Sequence, residues 1–93
     1  NSPETRIAGE LGAAWSSWRA ASDSLQLLRS SLLPQAEAGR DAARAGLVGN
    51  QVGIGEVLMA EGQVLDTRLA LLQAEIEARM ALIELQRLSG ELE

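Results

Sequence analysis

The chain has 93 residues, 46% hydrophobic but only 2% aromatic, and a net charge of −5 with its basic residues dispersed. That balance argues against nucleic acid and anionic lipid as partners, because both require a basic patch. With neither Cys nor His, the chain has no means of building a disulfide frame or a thiolate metal site, and it lacks the commonest metal ligand and general base.

The length allows one domain at most, and the alanine-rich, aromatic-poor composition suits closely spaced helix axes better than a compact core of large side chains. Ser2 is placed to cap a first helix, Pro3 fits its first helical position, and Glu4 favours the positive end of the dipole. From there Ile7, Leu11, Ala14, Trp18, Ala21, Leu25, Leu28 and Leu32 follow at alternating spacings of four and three, the seam of a left-handed coiled coil. Trp15 and Trp18 share a face of this helix and are expected to fill a wide gap between helices.

Pro34 removes a backbone donor and clashes with the carbonyl of Ser30, which predicts a kink there. Beyond it the seam is expected to resume one residue out of phase through Ala36, Gly39 and Ala43 to Leu47, a four-residue stutter. Gly46, Gly49, Asn50, Gly53 and Gly55 then mark where a long helix stops and reverses, since glycine and asparagine tolerate φ > 0. Leu47, Val48, Val52 and Ile54 lie among them, so the tip is expected to be buried or to contact a partner.

The second arm carries two apolar stripes. Leu58, Leu65, Leu69, Leu72, Ile76 and Ile83 form one, and Val57, Val64, Leu71, Ala78, Leu82 and Leu85 form the other. A two-stranded coiled coil needs one stripe, so the second implies another helix on that flank. Glu84 and Arg87 stand at a helical pair spacing, and Gly90 is expected to end the helix after Leu88. The fold class this predicts is all-α, a long antiparallel coiled-coil hairpin with helices over about 3–46 and 55–89, a glycine-rich tip over about 46–54 and a kink near Pro34.

No catalytic or metal-binding constellation emerges. The acids lie between seam positions with no His beside them, Ser16, Ser17, Ser22 and Ser24 have no base, and the tip glycines match no phosphate loop. Neither enzyme activity nor a cofactor is expected. No apolar run approaches the roughly 20 residues a spanning helix needs, and the start at Asn1 reads as a boundary inside a larger protein.

The phrase LLPQAE at residues 32–37, Ala45 and Gly46, the turn VGNQVGIGEVL at residues 48–58 and the phrase LQRLSG at residues 85–90 together resemble a hairpin of the TolC-like outer membrane efflux factors, more specifically the one of the C-terminal repeat. In that family a trimer forms an outer membrane β-barrel continued by a periplasmic tunnel of packed helices. The tips of its hairpins meet a periplasmic adaptor (membrane fusion) protein, and through it an inner-membrane pump exporting heavy metals or drugs. The resemblance implies that this chain is a periplasmic part of an outer membrane protein. Its adaptor-binding tip would be Gly46, Leu47, Val48, Gly49, Asn50, Gln51, Val52 and Gly53.

Val48 with Gly49, and Glu56 with Val57 and Leu58, match the family's tip phrases. Leu47 stands where an aromatic residue is common and Met59 where an Asp is common, which puts gating by tip hydrogen bonds in doubt here. Two rival readings are an adaptor hairpin, disfavoured because no Arg lies between Arg44 and Arg68, and a coiled-coil dimerisation module, in which the isolated hairpin self-associates through its second stripe.

Overall fold

A computed structural model, describing residues 2–92, shows an all-α hairpin. α1 spans Pro3–Leu27, a π-turn Leu28–Leu32 follows, α2 spans Leu33–Val48, and after the tip α3 returns over Ile54–Leu92. No strand occurs among the described residues. The chain divides into two compact units. The terminal unit combines the chain up to Leu25 with the chain from Gln73 on, and the tip unit is Gln26–Leu72.

In the terminal unit the first helix starts as its sequence requires. The Thr5 amide donates to the Ser2 hydroxyl at 3.2 Å, a side-chain cap on an otherwise orphan donor. The expected seam is the packed one: Ile7, Ala14 and Ala21 are buried, and Leu11, Trp18 and Leu25 are half-buried. Ile7 and Ala14 form a core with Leu88, which is 0% exposed, and Leu11 and Leu85 pack against it. Alanine at alternate seam positions brings the helices close, so burial here comes from proximity more than from side-chain bulk.

Two expectations for this unit need correcting. The tryptophans do not both fill the gap between helices. Trp18 is half-buried in the seam, whereas Trp15 is 52% exposed, with its ring centroid 5.3 Å from that of Trp18. Trp15 follows the seam residue Ala14 directly and is turned roughly 100° away from it, so its ring lies over its neighbour instead of between the helices. Nor does Gly90 end α3, which runs on to Leu92. Arg87 donates to Glu91 at 2.5 Å, bridging one helical turn across the glycine and holding the segment helical despite its low propensity.

Arg87 also grips Glu84 in a two-pronged contact, Nε to Oε2 at 3.0 Å and Nη2 to Oε1 at 2.5 Å. That hydrogen bond holds the Glu84 carboxyl below its ordinary value of 4.5; desolvation opposes the shift and the charge of Arg87 adds to it. A carboxylate with a depressed folded pKa contributes stability that is present above the ordinary carboxylate range and lost as pH falls through the folded value. Glu84→Gln is therefore expected to lower Tm slightly at pH 7, and the gap from the parent should close when both are melted near pH 3. A gap that persists in acid would mean that packing, not charge, carries the effect.

In the tip unit Val57 and Val64 are buried, the latter 1% exposed. The second arm thereby chooses between its two stripes. Val57, Val64, Leu71, Ala78 and Leu85 recur every seven residues, as do Ala60, Thr67, Ala74, Ala81 and Leu88, and all ten are buried or half-buried. Leu82, read as a member of this stripe, is instead 43% exposed. Every member of the other stripe is at least half exposed. Leu58, Leu65 and Leu72 each directly follow a seam residue, which turns them roughly 100° outward.

The first arm also departs from the expected phase. After the π-turn the half-buried positions include Leu33, Ala36, Arg40, Ala43 and Gly46, while Gly39 and Leu47 are exposed. The side chain of Arg40 is only 16% exposed and bonds Asp41 through Nε at 3.1 Å, so its aliphatic stem fills a seam position while its head stays paired. Flanking the seam, Arg44 pairs with Glu61 and Glu37 with Arg68, two contacts of opposite sense between the arms. Each side chain is partly exposed, which limits such pairs to about 0.2–1 kcal/mol apiece and makes their main effect the fixing of register.

Candidate functional site at the hairpin tip

The turn is built by the end of α2. The Gln51 amide donates to the Gly46 carbonyl at 2.7 Å, and the Asn50 amide to the Leu47 carbonyl at 3.1 Å. This paired arrangement is the Schellman motif, which satisfies carbonyls that a helix end leaves without partners. Asn50 takes the left-handed conformation the motif needs, with φ 59°, and no glycine has a positive φ among the described residues. Of the five residues expected to mark the reversal, Asn50 alone takes a positive φ, and the four glycines do not. Asparagine supplies the reversal, because its short polar side chain lowers the steric cost of that region.

The eight tip residues fall in two groups. Gly46, Leu47 and Val48 belong to the last turn of α2, so the helix reaches two residues further than expected, and Gly49, Asn50, Gln51, Val52 and Gly53 form the turn itself. The Val52 amide also donates to the Gly46 carbonyl, at 3.2 Å, and this folds the valine back onto the helix. A Cβ on Gly46 would lie 2.9 Å from Val52 Cγ2 and 3.2 Å from Cγ1. Gly46 is therefore present for close approach. At Gly49, in contrast, φ is −79° and a Cβ would meet the Ala45 carbonyl oxygen at 3.5 Å and the Gly46 carbonyl oxygen at 3.9 Å, both ordinary contacts.

Contrary to a tip buried within the chain, Val48 is 90% exposed, Ile54 60% and Leu47 38%, while Val52 is half-buried against Gly46. The result is a small apolar crown on a rigidly bonded turn. Ile54, within the expected tip but outside the adaptor-binding set of Gly46 to Gly53, belongs to that crown; the signal was its place among the tip apolars at the start of α3. The Gly53 carbonyl accepts the Glu56 amide at 3.2 Å, which starts α3 and sets Glu56 in its first turn, where the dipole favours an acid.

Asn50→Gly is expected to leave stability within a few tenths of a kcal/mol, whereas Asn50→Ala should cost about 1 kcal/mol by forcing a Cβ-bearing, non-polar residue into the left-handed region. Urea midpoints of the two variants check this, and equal midpoints would mean that the turn reverses by another route.

Chemically the tip offers apolar contact and exposed backbone. Among the described residues no group of three or more acids is assembled to hold a metal ion, and no helix is long and apolar enough to cross a membrane. No protein family, curated protein or solved structure matches the chain.

Proposed function

We propose that this hairpin is a passive wall and docking element of a TolC-type outer membrane efflux channel, working in the periplasm as one helical hairpin of a trimer. The observation that carries the reading is the uncovered apolar face of α3 in the tip unit. Leu58, Leu65, Leu69 and Leu72 are each more than half exposed on a helix that already buries a full heptad seam elsewhere. A helix apolar on two faces belongs between neighbours, and a tunnel wall of parallel helices supplies them. The crown of Val48 and Ile54, set on a turn held by four backbone hydrogen bonds from residues 49–52, is suited to meeting the tip of an adaptor protein.

In this role the hairpin performs no chemistry. The inner-membrane pump reached through the adaptor selects the cargo, and the hairpin contributes a preformed surface whose rigidity lowers the ordering cost of docking. The same apolar face also favours a second reading, in which two free hairpins pair into a four-helix bundle. Light scattering of the isolated chain separates that behaviour from a lone monomer.

The deciding experiment places single cysteines from Leu47 to Gly53 in the full-length parent protein and tests crosslinking to the adaptor made in the same cell. Crosslinks confined to the tip support docking there, and their absence at every position in an assembled channel refutes it. Gly49→Trp is the companion variant. A Cβ at position 49 makes ordinary contacts and the position needs no special backbone conformation, so a loss of adaptor recruitment with the helical circular dichroism unchanged would report on the docking surface.

A further inference from the structure

The first arm holds one residue more than a continuous heptad allows. Before the π-turn the packed positions are Ile7, Ala14, Ala21 and Leu28 in one row and Leu11, Trp18 and Leu25 in the other. Continued without change, these rows would bury Leu32 and then position 39. Both are exposed. The rows resume instead at Leu33 and Arg40 and at Ala36 and Ala43, each displaced by a single residue. The displacement falls within Leu28–Leu32, where the helix widens and the Leu33 amide bonds the Leu28 carbonyl five residues back.

We infer that this π-turn is a built-in joint, a single inserted residue at which the first arm passes from one heptad frame to another, pinned in place by Pro34. A π-turn is the α-helix with one residue added to a turn, so it absorbs a frame shift without breaking the helix. Pro34 fixes where the added residue sits. It follows the π-turn directly, where the hydrogen-bond ladder is changing register and one missing amide is absorbed, and it resists being drawn into the interior of a regular α-helix. Ser30 supports the joint locally, since its hydroxyl donates to the Gln26 carbonyl at 2.6 Å.

Packing across the joint is open. A groove of about 330 Å³ is lined by Leu28, Leu32 and Ala36 on the first arm and by Gln63 and Thr67 on α3. The first arm is therefore incompletely covered by its partner at the joint, which leaves the widened turn room to adjust. This inference does not depend on the efflux reading.

The test is a deletion cycle on the full 93-residue chain, read by thermal unfolding. Deleting Ser30 alone removes the added residue and forces Pro34 into a regular helix, so Tm should fall by about 10–20 °C. Pro34→Ala alone should change Tm by no more than a few degrees, because the frame shift and its π-turn remain. The two changes together should restore Tm to the Pro34→Ala value or above it, since a continuous heptad no longer needs a joint. Deletion of Ala20, outside the turn, has no added residue to remove and should be more damaging than the combined variant.

A combined variant that stays as unstable as the Ser30 deletion, or that does not fold, overturns the inference. So does a Ser30 deletion tolerated with Pro34 intact.

Discussion

Replacing Gly46 by Leu is expected to destabilise the hairpin by about 1–3 kcal/mol, although leucine is the better helix former. Propensity favours the change by up to about 1 kcal/mol, and glycine in a helix is ordinarily a site to improve. Here the geometry decides the sign. The new Cβ would stand 2.9 Å from Val52 Cγ2. Valine is short and stiff at χ1, and its backbone is tied to the Gly46 carbonyl by its own amide, with the Gln51 amide bonded to the same oxygen.

Relief would require breaking those bonds or opening the turn. A cycle isolates the contact: Gly46→Ala and Val52→Ala should each lower the urea midpoint, and the double variant should recover more than the sum predicts. Strict additivity would show that the two side chains do not compete for the same space. The contrast with Gly49 is equally informative, because glycines three residues apart in one tip have unrelated reasons to be there.

That contrast illustrates how far the sequence could be read. The periodicity of Ile7 to Leu28 was legible because each packed residue is apolar and no stronger local preference competes with the 3.5-residue repeat. Frame after Pro34 was not, since Gly39 and Leu47 look as suitable for a seam as Arg40 and Gly46. An arginine in a seam is recognised only once its stem is seen to be covered and its head paired. The second arm offered two apolar rows of nearly equal strength, so composition could not say which row faces the first arm.

Spacings of seven occur in both rows, as in Leu58, Leu65 and Leu72, and what sets the buried row apart is its small or β-branched members Val57, Val64 and Ala78, which permit the closer approach. At the tip, glycine count pointed to the turn, but the left-handed residue proved to be Asn50. Several adjacent residues tolerate φ > 0, and only the carbonyl-to-amide pattern selects among them.

The two rows of α3 should respond oppositely to truncation, and this gives the largest expected effect on folding. Leu88→Ala empties a site that is fully enclosed, between Ile7 and Ala14 with Leu11 and Leu85 alongside, and is expected to cost about 2–5 kcal/mol. Ala14 is too small to fill the space, which places the cost toward the upper part of that range. In a two-helix hairpin whose total stability is modest, such a loss unfolds a large fraction of the chain.

Leu69→Ala, by contrast, removes a side chain that is already 55% exposed, and the isolated hairpin should lose no more than about 0.5–1 kcal/mol. The comparison becomes a test of function when both variants are carried into the parent channel. If the outer row exists to pack against neighbouring helices, a polar residue such as Gln at Leu65 and Leu69 together should leave the hairpin folded by circular dichroism while lowering the yield of assembled trimer. Normal assembly with that double variant would show that the outer row faces solvent in the working protein, and the tip would then be left to carry the functional reading alone.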